Sequence, residues 1–125
     1  MKPVVFALML GILAAANGCG QFSLPPDIDD AAGGNPQRGQ AAIARFGCGS
    51  CHTIPGIRGA NALVGPPLDH MAQRTYIGGV LPNTRQNMVA WIKNPSGVDE
   101  KTAMPNLHVG EGDANDIASY LNTLR

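Results

Sequence analysis

The sequence predicts an all-α fold, and three observations carry that prediction. Apolar residues recur at helical spacing in three separated stretches, with recognisable start and stop signals. No stretch alternates apolar and polar residues as a half-buried strand would, and no internal repeat is present. The segments between the periodic stretches are rich in Gly and Pro, which is loop chemistry.

The first helix starts at Asn35-Pro36, with Asn as the cap and Pro at the first helical position. Gly39, Ala42, Ile43 and Phe46 mark one face, and Gly47 ends it. Gly39 is costly inside a helix, so the close approach of another helix is the reason expected for it. Residues 53–67 form a Gly- and Pro-rich loop ending Gly65-Pro66-Pro67-Leu68. A short helix is expected from Pro67 to about Gln73, then an irregular connection from Thr75 to Pro82. Thr84 caps the next helix, whose apolar face is Met88, Val89, Trp91 and Ile92, and Asn94-Pro95 stops it. The last helix begins near Gly110, with Asp113 placed as in a capping box. Ala114, Ile117, Ala118, Leu121 and Leu124 line one side, flanked by Tyr120. The first and last stripes are too narrow to stabilise isolated helices, so the two are expected to cross at Gly39, with Phe46 or Tyr120 packing at the margin.

Between the first helix and its loop stands Cys48-Gly49-Ser50-Cys51-His52, a C-x-x-C-H signature for covalent attachment of a c-type haem. Two thiols three positions apart add to the two vinyl groups of one porphyrin, and the adjacent His faces the iron. A thioredoxin-like C-x-x-C requires a βαβ context that these surroundings lack. A structural zinc site requires four closed ligands, and no second Cys/His pair stands at suitable spacing. The chain has only six aromatic residues (three Phe, two Tyr and one Trp), thin for a small self-sufficient core, and a buried macrocycle would supply what is missing. The expected architecture is therefore three main helices, a short helix and loops wrapped around one covalent haem.

Residues 1–18 read as an export signal, with Lys2 as the charged region and Val4 to Ala16 as the apolar region. The apolar run is short for a membrane span. Ala14-Ala15-Ala16 offers an ordinary cleavage site, and Ala16-Asn17-Gly18-Cys19 resembles a lipobox, although that family favours Leu where Ala16 stands. With Cys48 and Cys51 committed to haem, Cys19 is the odd cysteine; lipidation is the favoured explanation, and a place inside a discarded or uncleaved signal is the alternative. Residues 19–34, with Pro25-Pro26, three Asp and Gly33-Gly34, have linker chemistry. As a flexible coil of about fourteen residues, this tether would span roughly 20 Å root-mean-square. The division expected is a signal at 1–18, a tether at 19–34 and a haem domain at 35–125.

The whole chain has nine Lys/Arg and nine Asp/Glu, a net charge of zero. From Asn35 onward the balance is eight basic to six acidic residues, which does not suggest nucleic-acid binding. Beyond the signal, Lys93 and Lys101 are the only lysines, so there is no dense Lys ring to steer acidic partners.

A haem iron held by His52 needs a sixth ligand or an open site. Met71 and Met88 fall in helical patterns, where core packing is the better assignment. His70 and His108 have polar, loop-like neighbours and read as surface residues. Met104 differs: it lies in a loop, with Pro105 stiffening the backbone beside it. Met/His ligation belongs to electron-transfer cytochromes, in which the soft thioether favours ferrous iron and raises the potential. With both axial positions filled, a substrate or oxygen has no vacant site, which argues against a haem enzyme or gas sensor. Pro66 and Pro67 offer carbonyls that could orient His52, or simply stiffen the loop. Arg58, Arg74, Tyr76 and Trp91 are candidate donors to the haem propionates, and each could equally be an ordinary surface or packing residue.

From Asn35 to Arg125 the chain resembles class I monohaem cytochromes c. The residues that carry the resemblance are Cys48-Gly-Ser-Cys51-His52, Gly65-Pro66-Pro67-Leu68, the helix from Met88 to Asn94 ending at Pro95, Met104-Pro105, and Tyr120-Leu121. The resemblance implies thioethers from Cys48 and Cys51, iron ligation by His52 and Met104, and a Pro66 carbonyl bonded to His52. It also implies a haem-pocket position for Trp91, where many members carry Tyr. A narrower similarity is to cytochrome domains that serve haem–copper oxidases, including those fused to oxidase subunit II. It rests on Thr53-Ile54-Pro55-Gly56, Val64-Gly65-Pro66-Pro67-Leu68, Trp91-Ile92-Lys93-Asn94-Pro95 and Thr102-Ala103-Met104-Pro105-Asn106. The 125 residues show neither the copper-binding domain nor the transmembrane hairpin of such subunits, so a freestanding equivalent is expected.

The function expected is that of a monohaem electron carrier, not an enzyme, on the periplasmic side of a bacterial cytoplasmic membrane and anchored by lipid on Cys19. Its donor would be a quinol–cytochrome c oxidoreductase or a dehydrogenase, and its acceptor a terminal haem–copper oxidase. The alternative is a fixed electron-relay subunit of a dehydrogenase or sulfur-oxidising complex.

Overall fold

The structure, a computed structural model, describes residues 33–125. The expected export signal, the Cys19 lipidation site and residues 19–32 of the tether lie outside the described residues. Within the described part, the order is α1 (Pro36–Arg45), a 3-10 turn at Cys48–Ser50, and a second 3-10 turn at Met71–Gln73. There follow β1 (Tyr76–Ile77), β2 (Leu81–Pro82), α2 (Arg85–Lys93), α3 (Pro95–Val98) and α4 (Glu111–Leu121).

The caps act as the sequence indicates for two helices. Asn35 Oδ1 accepts from the Arg38 N–H at 3.0 Å, and Thr84 Oγ1 accepts from the Asn87 N–H at 3.2 Å. The capping box expected at Gly110–Asp113 does not form, because Gly110 has no side chain to cap with. Asp113 instead pairs with Arg45 of α1 at 2.6 Å, and Glu111 pairs with Lys93 of α2. Both acids still sit in the first turn of α4, where the helix dipole favours negative charge.

The helices α1 and α4 cross at Gly39. A Cβ there would overlap the Asp116 carbonyl oxygen and come within 3.0 Å of the Tyr120 Cβ, so only glycine permits this approach. Ala42 and Ile43 of α1 meet Ala114, Ile117, Ala118 and Leu121 of α4 in one buried core, with Met88, Val89 and Ile92 of α2 closing it. Leu124 lies beyond the end of α4 and is only half-buried against that core.

Asp116 of α4 is 6% exposed, an acid inside the apolar stripe. It accepts from the Asn35 N–H at 2.7 Å, from Arg38 Nε at 2.8 Å and from Arg38 Nη2 at 3.0 Å. The hydrogen bond from Arg38 holds its carboxyl below the usual carboxylate range, overcoming the opposing effect of burial. Beside it, Arg85 Nη2 donates to the Asn115 carbonyl at 3.0 Å and to Ser119 Oγ at 2.9 Å, tying α2 to α4.

Three local expectations require correction. The helix expected from Pro67 to Gln73 shrinks to the turn Met71–Gln73, because His70 takes a left-handed conformation at φ 52° and breaks the run. The connection from Thr75 to Pro82 holds a small antiparallel hairpin, with Tyr76 opposite Pro82 and Ile77 opposite Leu81. Its connection is the three residues Gly78, Gly79 and Val80; Gly78 and Gly79, at φ 55° and 77°, are the central residues of a turn closed by the Val80 N–H on the Ile77 carbonyl at 3.0 Å. Pro95 ends α2 as expected but also opens the short helix α3, capped by Asn94 Oδ1 on the Gly97 N–H.

Candidate haem site

Gly47 leaves α1 in a left-handed conformation at φ 70° and turns the chain into the 3-10 turn that carries Cys48, Cys51 and His52. Two backbone bonds fix this turn: the N–H groups of Cys51 and His52 both donate to the Cys48 carbonyl, at 3.2 and 3.0 Å. Gly49 faces Ala60, where a Cβ would lie 2.7 Å from the Ala60 Cβ, so the following loop closes directly over the motif. That loop is anchored by Ile54, which is 2% exposed, and clipped to α4 by Tyr120, whose Oη donates to the Pro55 carbonyl at 2.7 Å.

His52 Nδ1 and the Pro66 carbonyl oxygen lie 2.7 Å apart. A carbonyl only accepts, so Nδ1 carries the proton and Nε2 is left with its lone pair free for a metal. The loop is held at that spot by the Gly65 N–H on the Cys51 carbonyl at 2.7 Å and the Leu68 N–H on the Thr53 carbonyl at 2.8 Å. Gly65 packs against the imidazole, and a Cβ there would lie 2.7 Å from Nδ1.

These residues face a cavity of about 470 Å³, within the range that holds small-molecule cofactors. Its wall includes Cys48, Cys51, His52, Gly65 and Pro66 from the motif and loop, and Thr102, Ala103, Met104 and Pro105 from the loop before α4. Arg74, Tyr76 and Trp91 also line it, as do the core side chains Met71 and Met88. The structure thus brings together Cys48, Cys51, His52, Pro66, Trp91, Arg74, Tyr76 and Met104 around one space. Arg58 is the one propionate candidate outside the wall.

His52 is the only histidine in that wall among the described residues, since exposed His70 and His108 lie elsewhere. Met71 and Met88 are 5% and 6% exposed and belong to the core, whereas Met104 is only half-buried and sits on a loop. Met104 is held by its own N–H on Thr102 Oγ1 at 3.2 Å. Arg74 does more than face the cavity: its Nη2 donates to the Pro67 carbonyl at 2.6 Å and to the Asp69 carbonyl at 2.9 Å. Trp91 rests against Gly78 of the hairpin. Sequence reasoning missed this support, because a two-residue strand carries no alternation to read.

The cysteines are free of a disulfide, and burial pushes the Cys48 thiol above its ordinary pKa. Among the described residues, no three His, Cys, Asp or Glu side chains gather to hold a metal ion by themselves. The donor set fits a macrocycle that brings its own four equatorial ligands: a His with its tautomer fixed, a loop thioether, two thiols and a mostly apolar wall. When bound, the haem supplies a one-electron ferric/ferrous couple; the protein residues attach it, orient the imidazole and keep water out.

Comparison with known proteins agrees with this geometry. In a curated relative from Alkalihalophilus pseudofirmus, named cytochrome c oxidase subunit 2, 89 aligned residues are 28% identical, covering 70% of this chain and 25% of that protein. The Bacillus subtilis cytochrome c oxidase subunit 2 is 26% identical over 93 residues, covering 71% of this chain and 26% of its own length. The chain therefore spans about a quarter of the length of these relatives. Cytochrome c2 from Rhodobacter sphaeroides superposes with a TM-score of 0.55 at 22% identity, covering 73% of this chain and 96% of that one, which shows the class I cytochrome c fold. The family model for cytochrome c matches residues 36–125, from the first residue of α1 to the end of the chain. The chain belongs to the cytochrome c family of electron-transfer proteins and carries one covalently attached haem c.

Proposed function

We propose that this cytochrome carries single electrons with His52 and Met104 as axial ligands, and delivers them to a terminal haem–copper oxidase. The observation that supports it is the shared cavity wall, which joins Cys48, Cys51 and His52 to a methionine held on a loop and not in the core. The Pro66 carbonyl fixes His52 in the tautomer a ligand needs. Two filled axial positions make a closed site that changes little between oxidation states, which suits transfer and disfavours catalysis. The oxidase as acceptor is supported by the two relatives named as oxidase subunits. A quinol–cytochrome c oxidoreductase or a dehydrogenase fits the donor side.

Export to the periplasmic side, with lipid on Cys19 and residues 19–34 as tether, belongs to the same proposal and rests on the sequence of the leader. Mass spectrometry of the mature amino terminus tests it: a diacylglycerol-modified Cys19 supports the anchor, and a free amino terminus at Asn17 rules it out.

The ligand assignment is tested by spectroscopy. The ferric protein is expected to show the weak charge-transfer band of a thioether ligand, lost in Met104→Ala, which should then bind carbon monoxide when reduced. Ready carbon monoxide binding by the wild type would overturn the closed-site assignment.

A further inference from the structure

The haem cavity has an almost uncharged wall. Among the described residues that line it, Arg74 and Asp99 are the only Lys, Arg, Asp or Glu, one of each sign. Arg74 is already answered: its Nη2 lies 3.2 Å from Asp69 Oδ1 and donates to the Pro67 and Asp69 carbonyls. Asp99 has no such answer. Among the described residues it forms no ion pair, and its side chain accepts one hydrogen bond, from the Lys101 backbone N–H to Oδ1 at 3.0 Å.

An Asp side chain is short, so the carboxylate stays beside the cavity that the residue lines. Asp99 is half-buried, where salt screens a charge less than on an open surface. An uncompensated anion in this place has a definite consequence for the one-electron couple. Taking up an electron lowers the positive charge of the iron centre by one, with no bond made or broken. A fixed negative charge across so small a space therefore favours the ferric state by Coulomb attraction. The next acid in the chain, Glu100, is exposed and does not line the cavity, so position sets Asp99 apart.

We infer that Asp99 is a potential-setting residue of this cytochrome, an uncompensated carboxylate at the haem wall that holds the reduction potential down against the rise a thioether ligand brings. This rests on the electron-carrier reading above and deepens it. Asp99 also opens the segment that carries Met104. Its backbone carbonyl accepts from the Thr102 N–H at 3.1 Å, and Thr102 Oγ1 in turn accepts from the Met104 N–H at 3.2 Å. Charge and turn thus meet in one residue, and asparagine separates them: it keeps an Oδ1 to accept from Lys101 and loses only the charge.

The test uses the holoprotein and three variants, Asp99→Asn, Asp99→Glu and Glu100→Gln. Reduction potentials are read by redox titration at pH 7 in roughly 20 and 300 mM salt, alongside the ferric thioether band and chemical denaturation. Asp99→Asn is expected to shift the ferric/ferrous equilibrium about threefold to tenfold towards ferrous, a rise of roughly 30–60 mV at about 59 mV per tenfold. Its thioether band and stability should match the wild type, and the shift should persist in both salts. Asp99→Glu keeps the charge and should stay within about twofold of the wild type. Glu100→Gln removes the same unit of net charge and should shift the equilibrium by less than about twofold, with nothing left at the higher salt. An unchanged or lower potential in Asp99→Asn, or equal shifts in Asp99→Asn and Glu100→Gln, would overturn the inference. A raised potential accompanied by an altered thioether band or a loss of stability would assign the effect to the turn and overturn it too. If the wild type shows no thioether band but the potentials order as expected, the Met104 assignment fails and the role of Asp99 stands.

Discussion

Gly78 lies against the indole of Trp91 so closely that a Cβ on it would sit 2.6 Å from ring atom Cη2 and 2.8 Å from Cζ2. Its neighbour Gly79 has a similar left-handed backbone, at φ 77°, but a Cβ there would meet nothing within 4 Å. The pair separates two effects that usually come together. Gly79→Ala carries backbone strain alone, about 1 kcal/mol. Gly78→Ala carries the same strain and must also displace Trp91, so a loss of about 2–4 kcal/mol is expected in chemical denaturation. Trp91 is the only tryptophan, so near-ultraviolet circular dichroism should change in the Gly78 variant and not in the Gly79 variant. A double-mutant cycle with Trp91→Leu should recover part of the Gly78→Ala cost and none of the Gly79→Ala cost.

Gly65 bears on the proposed ligand His52 in the same way. Gly65→Ala would push the imidazole from its place under the Pro66 carbonyl, at an expected cost of about 1–3 kcal/mol. A ligating imidazole that loses its carbonyl acceptor donates less electron density. The reduction potential is therefore expected to rise in Gly65→Ala and to stay put in Gly59→Ala, whose Cβ would meet no atom within 4 Å. Redox titration of the two variants makes the comparison.

Asp116 sets an acid limit on stability. Its carboxyl titrates below its ordinary value, chiefly because of the bond from Arg38. The stabilisation is therefore complete above the unfolded value of about 3.9 and is lost as pH falls through the lower folded value. Asp116→Asn is expected to cost about 1–3 kcal/mol at pH 7, since Arg38 and the Asn35 N–H lose a charged acceptor. Unfolding curves for the two proteins should converge as the pH falls below the ordinary carboxylate range and Asp116 is protonated in the folded state.

Tyr120 gives the opposite limit. Burial raises its phenol above the ordinary value, and its Oη donates to a carbonyl that cannot donate back. Its contribution is present below the unfolded value of about 10 and is lost as pH rises through the higher folded value. Tyr120→Phe is expected to lower stability by about 0.5–1.5 kcal/mol at pH 7 and to remove the late-titrating phenol from an absorbance titration.

The parts legible in the sequence are those with a local code. Asn35 and Thr84 act as caps, Gly39 as the crossing point and Cys48 to His52 as the attachment turn, because each signal lies within a few neighbouring residues. The parts that escaped depend on distant partners. The burial of Asp116 depends on Arg38, 78 positions away, which nothing near Asp116 in the sequence announces. The run from Pro67 to Gln73 has helical composition, but left-handed His70 ends it before a full turn can form. The hairpin was invisible because its strands have two residues each, although Gly78-Gly79 is the turn signal that could have revealed it. For the site, Cys48, Cys51 and His52 are legible from their spacing and Met104 from its loop, whereas Pro66 was one of two carbonyls left open and Arg74, Tyr76 and Trp91 stood as candidates beside Arg58, which lies outside the wall. That Arg74 also braces the loop through Pro67 and Asp69 was not legible.

The two loops that bring His52 and Met104 to the cavity are fastened very differently. The His52 loop is cross-linked within itself by bonds from Gly65, Leu68 and Thr53, and is tied to the rest of the protein by Tyr120 on Pro55, Gln40 on Gly56 and Arg74 on Pro67. Between Asp99 and His108, the amides of Lys101, Thr102, Met104 and His108 bond only to acceptors within that same segment. Among the described residues, its hydrogen bonds to the rest of the protein run from the Asp99 N–H to the Pro95 carbonyl at 2.9 Å and from Asn106 Nδ2 to Asn94 Oδ1 at 3.3 Å. The molecule therefore has an order of opening built in: the segment carrying Met104 swings free first, while the imidazole side stays shut. Amide hydrogens at 101–108 should exchange well ahead of those at Gly65 and Leu68, and weak denaturant should free the Met104 segment, with the ligand proposed for it, before any helix melts.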